Sequence, residues 1–194
     1  MMLEYILAII SAYLIGSIPS GLILGKVFWH TDLRKYGSRN IGATNAWRTL
    51  GKVPGILVFI ADSLKGQAGV LLGLFFAGTP LAAVMGGLFA IIGHSFSIFL
   101  RFHGGKGVAT SLGVLAILMG DVTAIVFLTW LAIVCVTRYV SLGSVVAGFL
   151  TPILAVLFSY PMEYIIFTMI AAVLVIVRHR ENIKRLMNGT ENKI

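Results

Sequence analysis

The stretch VATSLGVLAILMGDVTAIVFLTWLAIVCVTR, residues 108–138, decides the fold of this chain. It is apolar almost throughout, but Gly120 and Asp121 interrupt it near the middle. Taken whole, it predicts one long helix; divided at the interruption, it predicts two short ones. A transmembrane helix needs roughly 20 apolar residues, with a range of about 17 to 25, so length alone does not choose between these alternatives.

The composition places the stretch in a membrane. Hydrophobic residues make up 58% of the 194-residue chain and charged residues only 11%, whereas soluble domains carry about 25% charged residues. The net charge is +8, which in a membrane protein indicates an asymmetry between loops rather than nucleic-acid binding. We therefore expect an integral membrane protein that forms one domain, residues 1–194, in a lipid bilayer, with no nucleic-acid partner.

The distribution of charges favours dividing the stretch. With seven spans, 14 of the 15 Lys and Arg residues fall on one face, and the last, Lys65, lies inside a span. Merging the two halves would put Arg138 and the basic tail on opposite faces and bury Asp121. The positive-inside rule then predicts an all-α bundle of seven transmembrane helices, with the N-terminus outside and the C-terminus cytoplasmic. The predicted spans are residues 3–25, 53–77, 80–100, 107–120, 122–138, 142–159 and 162–178.

Some residues inside the spans have a structural interpretation. Asp62 and Lys65 are three residues apart in the second span and can form an ion pair, while Lys65 reaching a polar interior stays open. His94 is either a packed interior histidine or part of a site. Glycines within the spans allow close helix packing; they are Gly69, Gly73, Gly86, Gly87 and Gly113.

The first glycine loop, Gly37–Asn45, has the sequence GSRNIGATN and lies on the predicted cytoplasmic face. Its glycines let backbone N–H groups converge on an anion. Ser, Thr and Asn side chains add directed hydrogen bonds, and Arg39 and Arg48 add charge. An ordinary surface loop is the alternative, but a second glycine loop on the same face favours a functional site.

The second glycine loop, Gly104–Gly107, has the sequence GGKG and precedes an apolar helix. A helix N-terminus presents unpaired N–H groups and the positive end of the helix dipole, so it suits an anion. Lys106 adds a mobile positive charge. Gly107 stands where a Walker A loop needs Ser or Thr, so ATP binding is poorly supported.

The remaining polar residues of that face lie in the turn TRYVSLGS (137–144) and in the tail. Ser141 is predicted to be the N-cap of the sixth helix, with Ser144 in its first turn. His179 and Asn182 are three residues apart and share a helix face. No HExxH motif and no cluster of metal ligands at suitable spacing is present, so we expect neither a metal nor a cofactor.

Several stretches, in this order, resemble one family closely. They are GSIPSGLILGK (16–26), DLRKYGSRNIGATNAWR (32–48), GHSFSIFLRFHGGKGVAT (93–110), TRYVSLGSV (137–145) and RHRENIKRLMNGTE (178–191). The chain resembles the bacterial membrane acyl-phosphate:glycerol-3-phosphate acyltransferases. The resemblance implies transfer of a fatty acyl group from acyl phosphate to the 1-hydroxyl of glycerol 3-phosphate, giving lysophosphatidic acid and inorganic phosphate. It implies no acyl-CoA and no metal.

The resemblance also implies a set of site residues and a location. The enzyme would be a monomer of the bacterial cytoplasmic (inner) membrane, with its active site on the cytoplasmic face. The catalytic residues would be Lys106, Ser144, His179 and Asn182. The residues that bind the phosphate and glycerol groups would be Ser38, Asn40, Gly42, Thr44, Asn45, Arg48, Gly105 and Gly107.

Parts of the mechanism stay open at this stage. The proton of the attacking hydroxyl goes either to His179 or to a substrate phosphate, and the division of the two phosphates between the glycine loops is undecided. An acyl-enzyme at Ser144 is disfavoured because no Ser–His–Asp arrangement is evident. The alternative function is an anion or lipid-phosphate transporter, against which the one-sided distribution of polar groups argues.

Overall fold

The computed structural model describes residues 2–194, and the residues it describes form helices and loops with no strand. The predicted all-α class is confirmed. Two short 3-10 turns, Leu33–Lys35 and Ile98–Leu100, lie between helices. The helices are α1 (Met2–Ser17), α2 (Ser20–Trp29), α3 (Ala43–Leu50), α4 (Lys52–Ala77), α5 (Pro80–Ser95), α6 (Val108–Leu118), α7 (Gly120–Thr137), α8 (Val140–Leu157), α9 (Met162–Arg178) and α10 (Arg180–Met187).

The deciding stretch is divided. α6 ends at Leu118, Met119 is non-helical with φ −150° and ψ 67°, and α7 begins at Gly120. Asp121 falls in the first turn of α7 and accepts a hydrogen bond from the Val122 N–H, with Oδ1 at 2.7 Å from the nitrogen. The alternative of one long helix is therefore wrong.

Within residues 2–194, five segments are long and apolar enough to cross a membrane. α9 and α10, which meet at a bend of 59°, give a sixth if they are counted as one span. α6 has 11 residues, or about 16 Å at 1.5 Å per residue, against a hydrocarbon core of roughly 30 Å. The count of seven spans and their orientation stay predictions. The five segments are Met2–Trp29, Lys52–Ala77, Pro80–Leu100, Gly120–Thr137 and Val140–Leu157.

The residues up to Ile117 form a compact unit in which α1, α4 and α5 pack against one another. Glycines bring the backbones together: a Cβ added at Gly69 would lie only 2.6 Å from the Cβ of Ala90 and 2.7 Å from the carbonyl of Gly86. The predicted packing role of the glycines in the spans is confirmed. The others with similarly close neighbours are Gly73, Gly86, Gly87 and Gly113.

α4 packs against α3 and α6, the helices that follow the two glycine loops. Its first part packs on α3, where a Cβ at Gly55 would lie 2.9 Å from the Cα of Trp47. About 12 Å further along the helix axis, Ser63 Oγ donates to the carbonyl of Ala109 in α6 at 3.0 Å. One long, rigid helix therefore sets the positions of both loops.

Leu118–Ile194 form the second compact unit, in which α8 packs against α7 and α9. The α7–α8 contact is close, since a Cβ at Gly143 would lie 2.9 Å from Cδ1 of Trp130. The helix direction changes at His179, between α9 and α10, and α10 returns to contact α8. This bend brings polar residues of the tail to the start of α8.

Candidate active site

Asn45 organises the first glycine loop from within. Its side chain is only 1% exposed. Nδ2 lies 3.0 Å from the carbonyl of Leu33, 3.2 Å from that of Tyr36 and 2.7 Å from that of Asn40, and Oδ1 accepts from the Ser38 N–H at 2.9 Å. These bonds use both the donor and the acceptor side of the carboxamide within the loop. Asn45 therefore holds the loop together, and the predicted substrate contact of Asn45 stays a prediction.

The rest of the first glycine loop leads into α3. Asn40 Oδ1 accepts from the N–H of Gly42, the residue that precedes α3, at 2.9 Å. Thr44 and Arg48 are four residues apart and share a face of the helix; both are half-buried, whereas Ser38 is exposed. The loop therefore leads into a helix that carries a hydroxyl, that of Thr44, in its first turn and a guanidinium, that of Arg48, in its last turn.

The second glycine loop runs directly into α6, which begins at Val108. The predicted position of the loop at a helix N-terminus is confirmed. Lys106 is half-buried between Gly105 and Gly107, which are both buried. The first N–H groups of α6 lack acceptors within the helix and carry its positive dipole end. A positively charged side chain and a helix N-terminus therefore lie side by side, as an anion site requires.

The backbone N–H of Gly105 has a partner within the protein, whereas we predicted that it would bind a phosphate. It donates to the carbonyl of His94 at 3.0 Å, and the N–H of Gly104 donates to the carbonyl of Ser95 at 3.1 Å. This N–H is therefore committed within the protein, and the contribution of Gly105 to the loop is its lack of a side chain. Gly107 has a φ of +81°, a left-handed conformation that suits glycine.

A buried carboxylate, Glu191, joins the polar residues of the second unit. Its side chain accepts from Ser141 Oγ at 2.9 Å, from Asn182 Nδ2 at 2.7 Å and from Arg185 Nε at 2.7 Å. Burial alone raises the pKa of Glu191, but the hydrogen bonds from Asn182, Arg185 and Ser141 outweigh it and lower the pKa below its ordinary value. Glu191 is therefore an anion at neutral pH, and it fixes the side chain of Asn182.

Glu191 is not among the predicted site residues. The feature of the sequence that could have indicated it is the pair Asn188–Gly189, which follows Met187, the last residue of α10, and favours a chain reversal. Gly189 has a φ of +68°, and the Thr190 N–H donates back to the carbonyl of Arg185 at 2.8 Å. A chain reversal of this kind returns the following residues toward the helix they have just left. A single carboxylate just after such a reversal, in a basic tail, is a candidate partner for the donors of the helix.

His179 lies at the junction of α9 and α10 and is 3% exposed. Its Nδ1 is 2.8 Å from the carbonyl oxygen of Val175. A carbonyl can only accept, so Nδ1 carries the hydrogen, and in the neutral ring the lone pair then lies on Nε2. This tautomer suits a proton acceptor.

The two serines of α8 lie differently from the prediction. α8 begins at Val140 with Tyr139 as N-cap, so Ser141 is not the N-cap; it lies in the first turn and contacts Glu191. Ser144 is in the second turn, and its Oγ donates to the carbonyl of Val140 at 2.9 Å. Because its hydroxyl hydrogen is held by its own helix, the arrangement favours Ser144 as an acceptor or a packing group over a nucleophile.

The predicted site residues thus fall into local groups. Within the first unit, the first glycine loop with α3 and the second glycine loop with α6 are both mounted on α4. Within the second unit, Ser141, Asn182 and Glu191 form one hydrogen-bonded group, with His179 three residues before Asn182. Across residues 2–194, no three His, Cys, Asp or Glu side chains lie together as a metal site would require.

Comparison with known proteins adds the family context. A family model described as glycerol-3-phosphate acyltransferase matches residues 6–189. The glycerol-3-phosphate acyltransferase of Carboxydothermus hydrogenoformans is 48% identical over 189 residues, covering 97% of this chain and 96% of the relative. The glycerol-3-phosphate acyltransferase 2 of Moorella thermoacetica is 48% identical over 190 residues, covering 98% and 97%.

Solved structures give the same similarity in three dimensions. One is the glycerol 3-phosphate form of PlsY (YgiH), an integral membrane glycerol 3-phosphate acyltransferase, with a TM-score of 0.93 and 40% identity over 98% of this chain and 95% of that one. The lysophosphatidic acid form of PlsY gives a TM-score of 0.90 and 38% identity over the same shares.

Proposed function

The chain belongs to the glycerol-3-phosphate acyltransferase family, and on that premise we propose that its acyl donor is an acyl phosphate. It transfers the fatty acyl group to the 1-hydroxyl of glycerol 3-phosphate and forms lysophosphatidic acid and inorganic phosphate, the first acylation of phospholipid synthesis. The observation that carries this proposal is the second glycine loop, where Lys106 stands beside the N-terminus of α6.

Both substrates of this reaction carry a phosphate, which matches two anion-binding elements in one unit. In this proposal one element is Lys106 with the start of α6, where Gly105 and Gly107 keep the approach clear of side chains. The other is the first glycine loop, where the groups that contact substrate are Ser38, Thr44 and Arg48, with Asn40, Gly42 and Asn45 fixing the loop. A bidentate guanidinium and a mobile ammonium are the usual cationic partners of phosphate.

The reaction needs little beyond positioning and charge stabilisation. The oxygen of the 1-hydroxyl attacks the acyl carbonyl carbon, the bond from that carbon to the phosphate oxygen breaks, and inorganic phosphate leaves with the electron pair. Holding the hydroxyl against the carbonyl can supply about 7–11 kcal/mol. Lys106 and backbone donors then stabilise charge on the carbonyl oxygen and the leaving phosphate.

We assign the proton of the hydroxyl to His179 or to a substrate phosphate. The Nδ1–H of His179 is held by the carbonyl of Val175, which leaves the lone pair of the neutral ring on Nε2. Asn182, fixed by Glu191, would orient substrate beside it, and Ser144 would accept a hydrogen bond. None of these roles needs a metal ion.

The proposal includes a location for the enzyme. Residues 1–194 act as one acyltransferase domain, a monomer with seven spans in the bacterial inner membrane, its N-terminus outside and its C-terminus cytoplasmic. The motifs then meet the lipid substrate and the soluble substrate at the cytoplasmic boundary of the membrane. The support is the distribution of the cations, since the seven-span topology places 14 of the 15 Lys and Arg residues on one face.

A transfer assay with purified protein tests the donor. Protein in detergent receives radiolabelled glycerol 3-phosphate with either acyl phosphate or acyl-CoA, and labelled lysophosphatidic acid and released phosphate are measured. We expect equal amounts of both products with acyl phosphate and none with acyl-CoA. Product from acyl-CoA alone would overturn the proposed donor. Vesicles that accumulate glycerol 3-phosphate without forming lipid would instead indicate a transporter.

A further inference from the structure

A cluster of ionisable side chains is buried beside the second glycine loop. Asp62, Lys65 and His94 are 2%, 6% and 4% exposed. Lys65 Nζ lies 2.8 Å from Asp62 Oδ1, which confirms the predicted ion pair, and His94 Nδ1 lies 3.6 Å from the same oxygen. Asp62 is thus the centre of the cluster, with a partner on α4 and another on α5.

The cluster ties three segments of the first unit together. Lys65 also donates to the carbonyl of Ile18, at the break between α1 and α2, at 2.9 Å. Charged groups inside a membrane protein are costly, and apolar side chains of similar volume usually pack at least as stably. A stabilising role alone therefore gives no reason for an ionised cluster at this place, and its neighbours indicate what it does.

The neighbour of the cluster on its other side is the second glycine loop. The carbonyl of His94 accepts from Gly105, and the carbonyl of Ser95 accepts from Gly104. A Cβ at Gly105 would overlap His94 Nε2, and a Cβ at Gly104 would overlap the carbonyl oxygen of His94. The imidazole therefore lies between Asp62, on its Nδ1 side, and the backbone of Gly105, which packs against its Nε2.

We propose that Asp62, Lys65 and His94 are positioning residues that set the location of the second glycine loop, and with it Lys106. Asp62 and Lys65 fix the orientation of the imidazole. The imidazole supports the backbone of Gly105, one residue before Lys106. This inference rests on the proposed function of Lys106 as a phosphate ligand and deepens it.

The principal test is kinetic. In His94→Ala the loop loses its support while Lys106 remains, so we expect the KM of one substrate to rise about tenfold or more. It should be the same substrate whose KM rises in Lys106→Ala. The control is Tyr5→Phe, which removes the 2.7 Å hydrogen bond between Tyr5 and Thr79 at the opposite end of α5. It should lower the melting temperature without changing either KM; equal KM effects in both variants would refute the proposal.

A double-variant cycle separates support of the loop from general stability. Gly105→Ala adds a Cβ that collides with the imidazole, and His94→Ala removes the imidazole. We therefore expect the double variant to lose less activity than the product of the two single losses, by at least about fivefold. Losses that simply multiply would show that His94 and Gly105 act independently and would overturn the inference.

The charged pair needs a variant that avoids a lone buried charge. Asp62→Asn leaves Lys65 without its counter-ion and can prevent folding, so Asp62→Asn with Lys65→Met removes both charges together. We expect this double variant to fold and to show the same KM rise as His94→Ala. An unchanged KM in a folded double variant would remove Asp62 and Lys65 from the proposal.

A binding measurement distinguishes failure of this inference from failure of the proposed function. Inorganic phosphate should raise the melting temperature of the wild-type protein, and His94→Ala should lose at least half of that rise while Tyr5→Phe keeps it. If the wild type bound phosphate but used no acyl phosphate, the proposed donor would fail while the positioning role stood. An undiminished phosphate effect in His94→Ala would refute the positioning role.

Discussion

The two glycine loops are held in place by different chemistry. Asn45 holds the first loop with a neutral carboxamide that binds a carbonyl and an N–H of the loop and a carbonyl of the preceding 3-10 turn. The second loop is tied by its own backbone to α5 and rests on the imidazole of His94, which faces an ion pair. The first loop is thus fixed locally, and the second through the helix bundle. Each loop nevertheless has a cation near it: Arg48 in the last turn of α3 and Lys106 just before the start of α6.

The largest expected effects come from removing these two cations. Lys106→Ala and Arg48→Ala should each lower kcat/KM by about a hundredfold or more, because each removes a charge that we propose to face a phosphate. If each loop binds one phosphate, the two variants should raise the KM of different substrates. Kinetics with each substrate varied in turn measure this.

Lys52→Ala is the matched control for both variants. Lys52 is an exposed lysine at the start of α4, on the same predicted face as the loops. Its replacement should leave both KM values within about twofold, since an isolated surface charge contributes little. A rise of one and the same KM in both loop variants would mean that the loops share a single phosphate.

The next largest effect is expected from removing Asn45, whose side chain holds the first loop in place. Asn45→Ala removes three hydrogen bonds to backbone carbonyls and one from a backbone N–H, and we expect a loss of about 2–4 kcal/mol in the free energy of unfolding. Activity should fall with it because the loop loses its shape. Asn40→Ala is the control, since it removes only one hydrogen bond, to the Gly42 N–H, and should cost about 1 kcal/mol. Denaturation followed by circular dichroism measures both; equal losses would contradict the dominant role of Asn45.

Several features of this structure could be predicted from the sequence because they depend on local rules. Apolar length placed α4, α5, α7, α8 and α9, although the first predicted span, 3–25, is divided into α1 and α2. The glycine run placed the start of α6, and the spacing of Asp62 and Lys65 gave their ion pair. The role of Asn45 could not be predicted, because its partners lie up to 12 residues away. Local rules also misplaced Ser141, since α8 begins at Val140, two residues earlier than predicted.

Contacts distant in sequence account for the rest. Ser141 and Glu191 are 50 residues apart, and the cluster around Asp62 joins Ile18, Lys65 and His94. Such contacts depend on the packing of helices, which the residue pattern of each helix does not specify. The structure alone therefore shows which neighbouring side chain holds a predicted site residue in place, as Glu191 does for Asn182.

Glu191 extends the comparison to a buried carboxylate that is held by side-chain donors. Its pKa is lowered in the folded protein, so it adds stability that is present above its ordinary pKa and is lost as the pH falls toward the folded value. Glu191→Gln should therefore reduce the melting temperature at pH 7, and the difference from the wild type should shrink as the pH falls below about 4.5. Thermal denaturation at several pH values measures this. A difference that grows on acidification would contradict an ionised Glu191.

The smallest expected effect comes from the ion pair just before the first loop. Arg34 Nε lies 2.9 Å from Asp32 Oδ1, and the pair lowers the pKa of Asp32, yet the Arg34 side chain is 49% exposed. Water screens such a pair, so Arg34→Ala should cost less than about 1 kcal/mol and leave activity near the wild-type value. Hydrogen bonds of similar length around the buried Asn45 contribute more to stability, because water does not compete for them. A loss from Arg34→Ala as large as that from Asn45→Ala would show that burial does not decide which contacts hold the first loop.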